Sequence, residues 1–309
     1  MKHIEYDNRC APDKKYEDGS CFTYESLIEI VKKYNIRYPN NKINTSLTKL
    51  ELVKELDKLL SNKCSNQICW LRLDLIKELD NQDINHYTFR PEGPSKKYEW
   101  LNTTNINEVI DQYHNLYPNF LFLGAVPSDF EDLSILGISN LNFEELEKEN
   151  KYKIGLVINL DEHYKNGSHW VGLYFNLKEY QIYYFDSIGK PPIKKIKKFI
   201  NKIIKYFYYK KYNKNIKINN LLNKLNNFNK IQFNELNKNY TIFNNIINNI
   251  DIKYNILQHQ YKNSECGVYS INFIIRIVDG ENFDNIINNP TNDDIMNKYR
   301  ETYFRNIKI

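Results

Sequence analysis

Apolar positions recur at helical spacing in two stretches near the start of the chain. Leu27, Ile28, Ile30, Val31 and Tyr34 form one such face, with Thr23 placed to cap it. Leu50, Val53, Leu56 and Leu60 form another, opened by Thr48 and Glu51 at the spacing of a capping box. Residues 22–62 therefore read as two helices, separated where Pro39 and its Asn-rich neighbours break the pattern. Residues 80–99 are polar and carry Pro91, Gly93 and Pro94, so they read as a linker. This divides the chain into a helical N-terminal arm, 1–95, and a main domain, 96–309.

In the main domain, residues 100–118 have a helical pattern entered through polar caps, and FLFLGAV (120–126) reads as a strand stopped by Pro127. The acidic stretch 129–151 reads as loop with a short helix near 142–149. KIGLVINL (153–160) is a continuous apolar run, the pattern of a buried strand. GSHWVGLYFNLKEYQIYYFDSIGKPP (167–192) reads as a β-hairpin, and 193–209 as a basic helix with an apolar stripe. Residues 210–250 are a tract of Asn, Lys, Ile and Tyr with no chemistry of its own, read as an insertion. Val268, Ile271, Ile274, Ile275 and Val278 predict a last long helix, with Gly280 where a C-cap glycine belongs.

Bulk properties narrow the classes. The 309 residues carry 43 basic and 38 acidic side chains, a net charge of +5, too mild for a dedicated nucleic-acid binder. No run of about 18 apolar residues exists, and MKHIEYDNRC lacks the apolar core of a signal peptide. The expectation is a protein without a membrane span, kept in a cytosol-like compartment. The abundance of Asn, Lys, Ile and Tyr, including 25 Tyr, matches AT-rich coding and makes no structural demand.

The hairpin raises a chemical question. One strand opens with His169 and the other closes with Asp186, ionisable groups at the open end of an apolar pair. With the turn centred between Leu177 and Lys178, His169 lies opposite Asp186, Val171 opposite Tyr184 and Leu173 opposite Ile182. Directly opposed residues have Cβ atoms about 5 Å apart, within reach of an imidazole–carboxylate hydrogen bond. Such a bond fixes the ring tautomer and leaves the other nitrogen free to exchange a proton. The bland alternative is a structural ion pair at a sheet edge.

A nucleophile would complete the set. Of five cysteines, four fall in the first seventy residues and Cys266 is isolated far downstream, at the predicted start of the last helix. A helix N-terminus and a neighbouring imidazolium both favour thiolate over thiol. Gln260, six residues upstream, can offer a side-chain N–H where the Cys266 backbone N–H points, and together they would form an oxyanion hole. Gly267 reads as room for a substrate carbonyl. His259 alternates to the face opposite Gln260, and His163 lies in a loop, so neither is the favoured base.

The His169-Trp170 pair, the aspartate closing YYFDS and the Gln-x5-Cys-Gly segment at 260–267 resemble the adenain and SUMO-protease clan of cysteine peptidases. Over a longer span, with SCFTYESL (20–27), Cys64/Cys69-Trp70, WLNTTNI (100–106) and FLGAVPSDF (122–130), the chain resembles the polyprotein-processing proteases of asfarviruses and mimiviruses. The resemblance implies an α+β, papain-like and adenain-like core, a central mixed sheet flanked by helices, behind a helical arm. It implies His169, Asp186 and Cys266 as catalytic residues, Gln260 in the oxyanion hole and Trp170 beside the pair, in the substrate cleft. The asfarvirus-type enzyme carries Asn where this chain has Asp186; either orients an imidazole.

By the same resemblance the substrate is a viral structural polyprotein, the setting is the virion and the host cytoplasm, and no cofactor or metal is needed. The arm is expected to dock substrate first and to contact nucleic acid weakly second, with no membrane partner. Three alternatives remain at this stage: an isopeptidase acting on ubiquitin-like conjugates of the host, an acyltransferase on the same scaffold, and a non-catalytic virion protein. Cys10, Cys21, Cys64 and Cys69 are open between reduced packing, disulfides and zinc, the spacing fitting zinc poorly.

Overall fold

A computed structural model describes residues 9–212, 240–242 and 250–306. The chain forms two compact units: one contains the residues up to Lys97 together with those from Arg300 onward, the other is Tyr98–Tyr299.

The first unit is helical. Helix α1 (Tyr24–Arg37) is capped by Thr23, whose hydroxyl accepts from the Ser26 N–H, and α2 (Lys49–Leu60) carries the full Thr48–Glu51 capping box. Three short helices follow: α3 (Gln67–Trp70), α4 (Asp74–Lys77) and α5 (Gln82–His86). Phe22, Leu27, Ile30, Leu52, Leu56, Trp70, Ile76, Ile84 and Phe89 make the core. Phe22 stacks on Trp70 with ring centroids 5.8 Å apart and meets Phe89 edge-on. The four N-terminal cysteines form two disulfides, Cys10–Cys21 and Cys64–Cys69.

Two boundaries differ from the sequence reading. The polar stretch from residue 80 is not all linker. Its polar residues work locally, Asn81 capping α5 through its side chain, while Ile84 and Phe89 anchor the segment in the core. The main domain also stops short of the C-terminus. Arg305 N–H donates to the Pro91 carbonyl at 3.1 Å, and Asn306 Oδ1 accepts from Gly93 N–H at 2.7 Å, so the last described residues belong with the first unit.

The second unit is built on a six-stranded mixed sheet in the order β1-β2-β3-β4-β6-β5. The strands are β1 (Phe120–Pro127), β2 (Lys153–Asn159), β3 (Trp170–Asn176), β4 (Gln181–Phe185), β5 (Tyr240–Ile242) and β6 (Asp251–Asn255). β1 runs parallel to β2 and β4 parallel to β6; the other pairs are antiparallel. Helix α6 (Thr103–Asp111) precedes β1, and the short α7 (Phe143–Lys148) lies in the connection before β2. The expected insertion at 210–250 lies mainly outside the described residues, but Tyr240–Ile242 is the edge strand β5. Among the described residues no helix is long and apolar enough to cross a membrane.

Helices cover both faces. Leu173, Phe175, Ile182 and Tyr184 pack with Phe199, Ile203 and Phe207 of α8 (Lys194–Tyr212) on one face. On the other lies α9 (Cys266–Asp279), and two glycines allow its close approach. A Cβ on Gly172 would meet the Phe273 ring at 2.5 Å, and one on Gly155 would lie 3.0 Å from Phe120 and 3.3 Å from Ile274. Phe185 stacks on the same Phe273 ring at 5.1 Å. The predicted stop at Gly280 holds: this residue adopts a left-handed conformation, φ +102°, and closes α9.

The hairpin register differs from the sequence reading by two residues. Gly172 pairs with Phe185 and Leu173 with Tyr184, so the turn holds four residues, Leu177 to Tyr180. Asn176 sets it: its side-chain oxygen accepts from the N–H groups of Lys178 and Glu179. Tyr180 then takes a left-handed conformation, φ +55°.

Candidate active site

Three strand ends meet at one edge of the sheet. β3 is antiparallel to β4 and β6, so its start lies beside their ends. His169 immediately precedes β3, Asp186 immediately follows β4, and Asn255 ends β6. A two-residue register shift moves His169 and Asp186 from directly opposed to diagonal positions but keeps both on the same face, because side chains alternate with period two. Their side chains span the diagonal: His169 Nε2–H donates to Asp186 Oδ1 at 2.7 Å.

Asp186 is fully buried and firmly held. Its Oδ1 also accepts from Ile188 N–H at 2.9 Å. Its backbone N–H donates to Asn255 Oδ1 at 2.8 Å, and its carbonyl accepts from Asn255 Nδ2 at 2.6 Å. Its Oδ2 has no hydrogen-bond partner among the described residues, leaving an imidazolium at His169 as the natural compensation for the buried charge. Burial works against a charged His169 ring, but hydrogen bonds to Asp186 and to Cys266 outweigh it and push the ring up to about 9. With Nε2 committed to the carboxylate, Nδ1 is the nitrogen that serves Cys266.

Cys266 is the free cysteine among the described residues and the first residue of α9. The first N–H groups of any helix lack intrahelical partners and carry the positive end of its dipole. Gly267 does not open room for substrate as expected: a Cβ there would lie 3.0 Å from Leu101 Cβ, so its bareness serves packing. Trp170 is 6% exposed, and its Nε1–H donates to the same Leu101 at its carbonyl, 2.9 Å away.

Gln260 is buried in the loop between β6 and α9. Its Oε1 accepts from the Ser187 hydroxyl at 2.6 Å, and its Nε2 donates to the Lys262 carbonyl at 2.5 Å. An amide nitrogen carries two hydrogens, so one remains for an oxyanion. His259 lies in the same loop, past the end of β6, so strand alternation does not set its direction. It is buried, its Nε2 lies 3.2 Å from the Ile287 carbonyl, and burial lowers it to about 4, which keeps it neutral. His163 sits on a separate loop, its Nδ1 2.6 Å from Asp129 Oδ2.

Sequence reasoning missed four residues here. Asn255, Ser187 and Leu101 support the set as described. Glu265, buried directly before Cys266, accepts from Ser264 Oγ at 2.7 Å and Asn297 Nδ2 at 2.8 Å. Only the Asp-Ser pair at the strand end carried any local signal; the others depend on long-range pairing.

A thiol at a helix start, beside an imidazole held by a buried carboxylate, on a mixed sheet flanked by helices, defines a cysteine-type peptidase. The chain belongs to the Ulp1 protease family: residues 149–308 match its C-terminal catalytic domain. It is 34% identical over 318 residues to a protein of Acanthamoeba polyphaga mimivirus named as a thiol protease, covering 97% of this chain and 94% of that one. Its fold is similar to a crystal structure of an ASFV protease, with TM-score 0.58, 18% identity and 96% of each chain covered. A selenomethionine structure of the same ASFV protease gives TM-score 0.56 at 19% identity, covering 97% of each chain.

Proposed function

We propose that this protein is a thiol endopeptidase that cleaves structural polyproteins of a large DNA virus during virion assembly. Cys266 Sγ attacks the scissile carbonyl while His169 Nδ1 holds the thiol proton. The tetrahedral oxyanion is met by Gln260 Nε2–H and the Cys266 backbone N–H. Collapse expels the amine, which takes the proton from His169 and leaves a thioester on Cys266. Water, deprotonated by His169, attacks the thioester and releases the acid. Asp186 keeps the imidazole oriented and stabilises its cation throughout.

The observation that carries this reading is the 2.7 Å contact from His169 Nε2 to buried Asp186, on a ring that also meets Cys266. The viral polyprotein as substrate is supported by likeness that runs over nearly all of the chain: the mimivirus relative and the ASFV fold cover 97% and 96% of it, while the family's catalytic-domain match begins only at residue 149, after the helical N-terminal part of the first unit. The family membership itself favours a second reading, an isopeptidase acting on ubiquitin-like conjugates with the same residues.

The test is mass spectrometry of a mixed peptide library incubated with wild type and with Cys266→Ala. The library includes Gly-Gly-X sequences and a ubiquitin-like C-terminal tail. Cleavage by wild type alone is expected, and the preferred sequences separate the two readings. Equal products from both proteins would contradict the assignment of Cys266.

A further inference from the structure

Ser187 is buried, and the residues it follows and binds, Asp186 and Gln260, are site residues. It follows Asp186 in the chain. Its carbonyl accepts from both His259 N–H and Gln260 N–H, each at 2.8 Å. Its hydroxyl donates to Gln260 Oε1 at 2.6 Å. The residue thus bridges the carboxylate end of β4 to the loop that carries the amide.

The amide's orientation follows from the partners' chemistry. The Lys262 carbonyl only accepts, so the amide group facing it at 2.5 Å must be the nitrogen. Oε1 is then aimed at Ser187, whose hydroxyl can donate. A flipped amide would set two carbonyl oxygens against each other at Lys262. Without the Ser187 hydroxyl, Oε1 would be a buried acceptor with no donor, and the amide would gain by rotating toward another. Any such rotation carries Nε2 away from the place where its second hydrogen is needed.

We propose that Ser187 is a positioning residue: its hydroxyl fixes the Gln260 amide so that the nitrogen, not the oxygen, serves the oxyanion. The inference rests on the proposed role of Gln260 and goes one residue further. Ser187→Ala removes the hydroxyl and keeps the backbone bonds to residues 259 and 260, so it isolates the effect.

The experiment is a double-mutant cycle on full-length protein, read on a peptide cleaved by wild type. Removing an oxyanion donor costs about 100- to 1000-fold in kcat, so Gln260→Ala is expected in that range. Ser187→Ala is expected to lower kcat about 10- to 100-fold with KM little changed, because misplacing a donor costs part of its removal. In the Gln260→Ala background the same substitution is expected to cost less than about twofold, since the two act as one unit. Affinity for a peptide aldehyde, which forms a tetrahedral adduct in the oxyanion hole, should fall in parallel. Alkylation of Cys266 by iodoacetamide, which needs no oxyanion hole, should be unchanged, and Ser187→Thr should restore most of kcat.

A wild-type kcat in Ser187→Ala would overturn the proposal. So would an equal loss in both backgrounds, or a loss that alkylation shares, because a merely structural role predicts both. If Gln260→Ala keeps full kcat, the oxyanion role fails and this proposal with it, while cleavage by Cys266 stands. A wild type that cleaves no peptide would overturn both proposals together.

Discussion

Two histidine–aspartate pairs in the second unit use the same groups at almost the same distance. His169 and Asp186 meet at 2.7 Å, His163 and Asp129 at 2.6 Å. Their surroundings differ. The first pair has side-chain exposures of 14% and 0%, and its ring also meets the Cys266 thiol; the second has 52% and 8%. At Asp129 burial resists ionisation, but hydrogen bonds from the His163 ring and backbone hold the carboxyl below its usual range. That interaction ties the loop after β2 to the segment after β1, with the imidazole left in water. A hydrogen-bond distance alone therefore does not mark a catalytic pair. Burial of both partners and a third group on the free nitrogen do.

The largest effect that separates the pairs is on turnover. His169→Ala should lower kcat/KM on a cleaved peptide by at least about 1000-fold, while His163→Ala should stay within about threefold. Comparable losses in the two variants would break the contrast.

The pH profile comes next. The imidazolium needed beside the thiolate persists until His169 loses its proton, so activity should fall as pH rises through about 9. Asp186→Ala removes an upward cause, so that alkaline limb should move down toward the ordinary histidine value of about 6.5, with a fall in kcat of about 100-fold or more. Asp129→Ala should leave the limb in place.

A smaller effect tests the packing beneath the buried pair. Gly172→Ala puts a methyl 2.5 Å from the Phe273 ring under α9. It should cost about 1–3 kcal/mol in urea unfolding and lower activity by displacing the helix that carries Cys266. Unchanged stability and activity would mean that the helix seat is looser than the geometry implies.

Proton linkage gives a signature in stability that needs no turnover. His169 is raised in the folded state, so its contribution is complete below about 6.5 and lost as pH climbs to about 9. His259 is lowered, so its contribution is complete above about 6.5 and lost as pH falls to about 4. Each slope is at most about 1.4 kcal/mol per pH unit. Urea midpoints across pH should flatten on the alkaline side in His169→Ala and keep both slopes in His163→Ala.

Much of this contrast was legible in the chain. Helical spacing located α1, α2 and α9, and the apolar runs located β2 and the hairpin strands. The pairing of His169 with Asp186 survived a wrong register because an error of two residues preserves side-chain parity; an error of one would have separated them. The true register depended on Asn176 closing a four-residue turn and on Tyr180 accepting a positive φ, choices the hairpin's own pattern does not dictate. The support around the pair was hidden for a different reason. Asn255 reaches Asp186 only because β6 runs parallel to β4 across 69 residues of sequence, and Leu101 meets both Trp170 and Gly267 from a segment read as a helix entrance and a family motif, with no role given to Leu101 itself. Gly267 was assigned to substrate because a cleft explains a small residue as readily as packing does. The disulfide partners of the first unit were equally invisible, since four cysteines admit several pairings.

The most direct test of the central claim needs no substrate. Full-length protein is treated with limiting iodoacetamide at pH 6, where an ordinary free thiol is almost wholly protonated, and modification of Cys266 is followed by mass spectrometry. The account predicts rapid alkylation of Cys266 in wild type and in His163→Ala, and a rate at least about tenfold slower in His169→Ala. A Cys266 that stays unmodified, or that reacts equally with and without the His169 imidazole, would make it a buried structural thiol and contradict the account.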